Sequence, residues 1–128
     1  MSVVFVDTDV LIDFLRGHSG ARDYLLDLSE RSTVCCSVVT VAELYAGMRE
    51  REEKVTNNLI SGMVIVPISK EIAEVAGRMK RGARGYVLEL DDCFIAATAM
   101  AERATLVTRN ARLYPHEGLQ VIVPGYFV

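Results

Sequence analysis

Cysteine is scarce in this sequence: Cys35, Cys36 and Cys93 are the three in 128 residues. An odd count, with two of them adjacent, supplies neither a disulfide framework nor the spacing of a zinc site. It points to a reduced, cytoplasmic protein with small buried thiols. Long apolar runs are missing as well, since nothing approaches the ~18 consecutive apolar residues of a membrane helix. The first residues carry no basic cluster and meet an acid at Asp7, so no signal peptide is expected. Basic residues do not dominate: 14 Lys and Arg against 17 Asp and Glu leave a net charge of −3 and a pI of about 5.4. That balance excludes a generic binder of duplex DNA. Repeats, low-complexity tracts, linkers and serine-nucleophile motifs are absent. Gly82 and Gly85 lack the spacing of a phosphate-binding loop. His18 and His116 stand in loop contexts with no Cys or His at metal-ligand spacing.

What is present is 51% apolar and 24% charged. This is the composition of one globular domain over residues 1–128, large enough to bury a core without a disulfide or a structural metal. Short apolar runs alternate with amphipathic stretches. Residues 3–6 predict a buried strand. Asp9 reads as the N-cap of a short helix over 10–15 that stops at Gly17, and a second helix spans 19–30. A strand over 33–38 follows. The next helix starts at Thr40, runs to about Met48 and continues through the charged run 49–54 towards Ile60, closed by Gly62. A strand over 63–67, a helix over 69–81 and a loop over 82–85 come next. Asp91 and Asp92 open an apolar helix ending near Arg103, and strands over 105–108 and 120–123 complete the chain. The alternation predicts an α/β fold, a three-layer α/β/α sandwich around a mainly parallel sheet. In such sheets, sites form beyond the carboxyl ends of the strands.

Several acids fall at those ends. Asp7 and Asp9 follow the first strand, Glu43 lies in the first turn of the helix after the second, and Asp91 and Asp92 begin the apolar helix. Asn110 follows the 105–108 strand. Singly, each has a structural explanation. Thr40-Val41-Ala42-Glu43 matches a capping box, Asp91 and Asp92 suit a helix N-terminus, and Asp9 and Asn110 are common N-caps. Together they are harder to explain, because clustered carboxylates repel unless something positive joins them. Oxygen ligands of this kind suit Mg²⁺ or Mn²⁺. The basic residues Arg78, Lys80, Arg81 and Arg84 read as a solvated helix end that can also guide a phosphodiester backbone.

The motifs resemble those of PIN-domain nucleases. Val4-Phe5-Val6-Asp7-Thr8-Asp9-Val10-Leu11-Ile12 resembles the first motif and Thr40-Val41-Ala42-Glu43-Leu44 the second. Asp92-Cys93-Phe94-Ile95-Ala96-Ala97-Thr98-Ala99 resembles the third and Leu106-Val107-Thr108-Arg109-Asn110 the fourth. The compact length is similar to that of VapC-type toxins of toxin–antitoxin pairs. The resemblance implies a metal-dependent endoribonuclease with Asp7, Glu43 and Asp92 as catalytic acids and ligands of Mg²⁺ or Mn²⁺. A metal-activated water would cleave RNA to leave 5′-phosphate and 3′-hydroxyl ends. Asp9, Asp91 and Asn110 are expected around the metal as supporting or substitute ligands, and Arg109 joins the basic residues on the RNA approach. A homodimer and a small inhibitory antitoxin are the implied protein partners, with no membrane. One departure stands out: the family's fourth acid often lies three residues past Asn110, before an aromatic, and here Leu113 precedes Tyr114.

Two other readings compete. Asp7-Thr8-Asp9-Val10-Leu11 also resembles the opening of haloacid-dehalogenase-type phosphatases, with Asp7 as nucleophile, Asp9 as general acid and Asp91-Asp92 as the late acidic pair. Leu11, the short chain and an idle Glu43 speak against it. The other is a catalytically degenerate PIN scaffold that binds RNA or a protein partner, with Leu113 as the sign of lost activity.

Overall fold

A computed structural model describes residues 2–83, 88–114 and 118–127. Its strands are β1 (Ser2–Val6), β2 (Ser32–Ser37), β3 (Val64–Val66), β4 (Thr105–Val107) and β5 (Val121–Ile122). All pairings are parallel, in the order β3-β2-β1-β4-β5. Side chains alternate across the pleat and so divide the core into two layers. Val4, Val6, Cys36 and Val107 enter one layer, where Val10, Leu11, Leu25, Leu28 and Leu44 cover them. Those residues come from α1 (Thr8–Leu15), α2 (Ser19–Arg31) and α3 (Val38–Gly47), and α4 (Glu53–Ser61) adds Leu59 and Ile60. Phe5, Cys35 and Leu106 enter the other layer, against Ile95, Ala96 and Ala99 of α6 (Leu90–Ala101). Beyond it, α5 (Lys70–Gly82) packs Ala76 against Cys93 and Ala97. The three-layer α/β/α sandwich with a parallel sheet is thus present, and all three cysteines are buried and free.

Several local expectations need correction. Asp7, not Asp9, caps α1: its side chain accepts the Thr8 amide. Ser37, not Thr40, caps α3, because the strand ends at Ser37 and its hydroxyl accepts the Val39 amide. Thr40 and Glu43 are therefore not a capping box; both lie inside the helix, Glu43 beyond its first turn. The long helix towards Ile60 is interrupted, since Met48 and Arg49 are extended and a 3₁₀ turn, Glu50–Glu52, precedes α4. Glu52 draws the break tight by accepting both the Arg49 amide and the Arg16 guanidinium. The apolar helix begins one residue earlier than expected, at Leu90 after Glu89, and β5 is only two residues long. The expected loop over 82–85 lies partly outside the described residues, as do Arg84 and His116.

The topology places the site. The chain enters at the central strand, builds outward through β2 and β3, then returns to the other side of β1 as β4 and β5. The order therefore switches between β1 and β4, and in open parallel sheets sites form beyond the carboxyl ends of the strands at such a point. Val6 pairs with Val107 at that end, and the Asp7 amide donates to the Val107 carbonyl at 2.8 Å. Asp7 and Thr108 are the next residues of the two strands.

The turn into β4 is a tight helix exit. The Ala104 amide donates to the Ala99 carbonyl and the Arg103 amide to the Met100 carbonyl, the paired bonds of a Schellman motif. Its C′ position belongs to Arg103, which carries a φ of 51° where glycine is the usual occupant. Arg103→Gly should relieve about 0.5–1 kcal/mol of left-handed strain, net of glycine's greater unfolded freedom. Chemical denaturation should show a raised midpoint with an unchanged slope.

Candidate active site

Asp7 is 6% exposed and its carboxylate is nearly saturated. Oδ1 accepts the Thr8 amide at 2.8 Å. Oδ2 accepts the Thr108 hydroxyl at 2.7 Å and the Tyr114 hydroxyl at 3.0 Å. Thr108 comes from the end of β4, and Tyr114 follows the 3₁₀ turn Ala111–Leu113. The central acid is thus gripped by residues a hundred positions away in sequence.

The other acids join through hydroxyls. Glu43 Oε1 accepts the Thr8 hydroxyl at 2.6 Å, and that hydroxyl also lies 3.1 Å from Thr40 Oγ1. The Asp91 carboxyl lies close enough to Glu43 to raise it. Asp92 Oδ2 accepts the Glu89 amide at 3.3 Å, and Oδ1 faces the Tyr114 hydroxyl at 3.3 Å. Asp9 Oδ2 accepts the Arg109 amide and the Asn110 side-chain amide, whereas its Oδ1 is buried with no partner.

Crowding shows in the acid–base balance. Burial, followed by the Asp91 hydrogen bond, pushes Glu43 up to about 7. Burial and the charges of Asp91 and Asp7 push Asp92 up to about 6. Burial and the Asp7 charge do the same for Asp9, also to about 6. Asp7 is raised chiefly by burial, against the three hydrogen bonds it accepts.

Asp7, Glu43, Asp91, Asp92 and Asp9 therefore form one connected set. Asn110 is tied to Asp9 through its side-chain amide. Arg109 is also committed: its guanidinium pairs with Asp13 at 2.7 Å and lies 4.8 Å from the Phe127 ring centroid. Arg78 and Arg81 are exposed on α5, and Lys80 Nζ donates to the Leu88 carbonyl. Leu113 is partly buried against both the sheet layer and the α5–α6 layer. The hydroxyls of Thr8, Thr108 and Tyr114 escaped the sequence reading. Their signal was position: a threonine beside each strand-end acid or turn, and a phenol where an apolar ring would suffice.

The donor set fits a hard divalent cation. It is all oxygen, carries surplus negative charge, and includes a buried carboxylate oxygen lacking any donor. Among the described residues, no three acidic, His or Cys side chains already form a closed metal cage. Mg²⁺ does not require one, because it keeps several waters and is held by one or two carboxylates plus substrate phosphate.

Comparison with known proteins gives relatives in both sequence and fold. The PIN domain family profile matches residues 4–117. Ribonuclease VapC10 of Mycobacterium tuberculosis is 37% identical over 115 residues, 88% of this chain and 86% of that protein. Ribonuclease VapC19 of the same organism is 34% identical over 113 residues, 86% of this chain and 90% of that protein. Among solved structures, a toxin–antitoxin complex from Klebsiella pneumoniae contains a chain with a TM-score of 0.77 and 30% identity, covering 94% of this chain and 97% of that one. In VapBC2 from Rickettsia felis bound to a promoter DNA fragment, a chain matches in fold with a TM-score of 0.81 at 23% identity, covering 94% of this chain and 98% of that one.

The raised acids set a pH dependence. Each binds its proton more tightly in the folded chain than in the unfolded one. Their stabilising contribution is full below the unfolded carboxylate range and is lost as pH rises through about 6 to 7. In chelator, the melting temperature should therefore fall between about pH 5 and about pH 8. Asp92→Asn should flatten that fall and, near pH 8, melt above wild type by the equivalent of about 1 kcal/mol, a figure already discounted for screening at a half-buried site. Differential scanning calorimetry across the range checks both.

Proposed function

The chain belongs to the PIN domain family, and on that premise we propose that it is a ribonuclease, the toxin component of a toxin–antitoxin pair. The observation that carries the reading is the convergence of Asp7, Glu43 and Asp92 at the switch point of the sheet, with no Lys or Arg of the described residues hydrogen-bonded to them. In this reading they hold Mg²⁺ or Mn²⁺ and act on RNA. The bound ion supplies an activated water and neutralises the phosphate and the developing oxyanion.

The chain's own groups prepare that chemistry. Thr8 and Thr108 donate their hydroxyl protons to Glu43 and Asp7 and so orient the two carboxylates. Burial and the neighbouring acids push Glu43 up to about 7, and a carboxylate ligand must be deprotonated, so affinity for the ion would rise with pH through that range. Asp9 stands behind Asp7 with one oxygen unspent. The phosphatase reading loses its footing, since it leaves Glu43 idle and here Glu43 shares the Thr8 hydroxyl with the first motif.

An antitoxin partner is supported by the toxin–antitoxin complexes among the structural neighbours. It is supported too by an apolar groove of about 340 Å³ lined by Leu11, Phe14, Leu25, Leu26, Val55 and Met63. Leu26 and Val55 are exposed there, and an exposed apolar groove of this kind suits an amphipathic helix of a partner. A homodimer and a cytoplasmic location complete the proposal, and no described helix is long and apolar enough to cross a membrane.

Asp7→Asn, Glu43→Gln and Asp92→Asn should each lower Mn²⁺-dependent RNA cleavage by about a hundredfold or more while leaving the circular dichroism spectrum unchanged. The losses should not multiply in combination, because the three act as one unit. Wild-type rates from any single variant, in preparations cleared of host ribonuclease, remove that residue from the site. An inert wild-type chain that still binds RNA supports the degenerate scaffold instead.

A further inference from the structure

The side chain of Tyr114 is 4% exposed and lies in the apolar layer with Phe5, Ile95, Ala96 and Leu106. A phenol buried among such neighbours must find a partner for its hydroxyl. It finds two, Asp7 Oδ2 at 3.0 Å and Asp92 Oδ1 at 3.3 Å. Among the described residues, no other side chain hydrogen-bonds to both of these acids.

Counting lone pairs shows what that bridge does. Asp7 Oδ2 receives two donors, Thr108 and Tyr114, and is full; Oδ1 receives one, the Thr8 amide, and keeps one lone pair. Asp92 Oδ2 receives one donor, the Glu89 amide, and likewise keeps one lone pair. The phenol has one proton, so it donates to one carboxylate at a time while remaining within reach of the other. Its ring is fixed by the core, and the hydroxyl meets the acids from the interior. The open lone pairs of Asp7 and Asp92 are thereby fixed in place. The ring also anchors the segment that carries Leu113, where no carboxylate is present.

We propose that Tyr114 is a positioning residue for cation binding: its core-anchored hydroxyl bridges Asp7 and Asp92 and holds them in the separation and orientation the ion requires. The proposal rests on the reading that these two acids are ligands of Mg²⁺ or Mn²⁺. Groups that orient a ligand from behind commonly govern affinity by tenfold or more.

The test is calorimetric titration of Mn²⁺ into the chelator-stripped intact chain and into Tyr114→Phe, with thermal melting of both in chelator. Phenylalanine keeps the ring and removes only the hydroxyl. The expected result is a Kd weakened by about tenfold or more in a variant that still melts cooperatively. A variant with altered melting but unchanged Kd overturns the proposal, because the hydroxyl then serves only the fold. Tighter binding also overturns it, because the hydroxyl then obstructs the ion. A wild type that binds no Mn²⁺ overturns the cation reading itself and the proposal with it, so the two failures are distinguishable. If Tyr114→Phe does not fold, Mg²⁺ is titrated into wild type carrying ¹³C-labelled tyrosine. Signals are assigned by substituting the other four of its five tyrosines. The Tyr114 Cζ signal should move with ion binding, and a signal that stays fixed at saturation counts against the bridge.

Discussion

The 2.7 Å hydrogen bond from Thr108 to Asp7 ties together the two strands between which the sheet changes direction. β1 is the first strand and β4 returns to it after two outer strands and six α-helices have been laid down. Their carboxyl ends meet only if the register Val6 to Val107 is kept. Moving either strand by one residue would turn the acid or the threonine to the wrong face. The core and the site therefore constrain each other: the apolar alternation that fills both layers is also what brings a carboxylate and its donor side by side.

Holding like charges together has a cost, and the structure distributes it over neutral donors. Two threonines, a tyrosine and several backbone amides approach the acids, while the nearby arginine is drawn off to Asp13. A lysine or arginine inside the cluster would neutralise it permanently and compete with an incoming ion. Neutral donors orient the carboxylates and leave their charge available. The mutual repulsion that remains in the cluster is what a bound cation, on the proposed reading, would relieve.

Much of this was legible in the sequence because it depends on short-range pattern. Strand, acid and amphipathic helix recur in an order that gives a parallel sheet and places Asp7, Glu43 and Asp92 near one edge. Less legible were features decided by competition between neighbours. Asp7 and Asp9 are both good caps, and the strand's end determined that Asp7 takes the amide. Thr40 mimics a cap, yet Ser37 lies closer to the end of β2. The role of Tyr114 was hidden for another reason: a hydroxyl group acquires meaning only from what lies opposite it, and Asp7 is 107 residues away.

The adjacent pair Cys35 and Cys36 has a use of its own. Neighbours on a strand face opposite ways, so Cys36 reports from the layer under α1 to α4 and Cys35 from the layer under α6. Burial pushes the Cys36 thiol up to about 12 and raises Cys35 as well, so neither is a reactive thiolate in the folded chain. Each sulfur becomes open to alkylation only when its own layer parts from the sheet. Timed labelling read by mass spectrometry thus separates the opening of one face from the opening of the other, using probes the chain already carries.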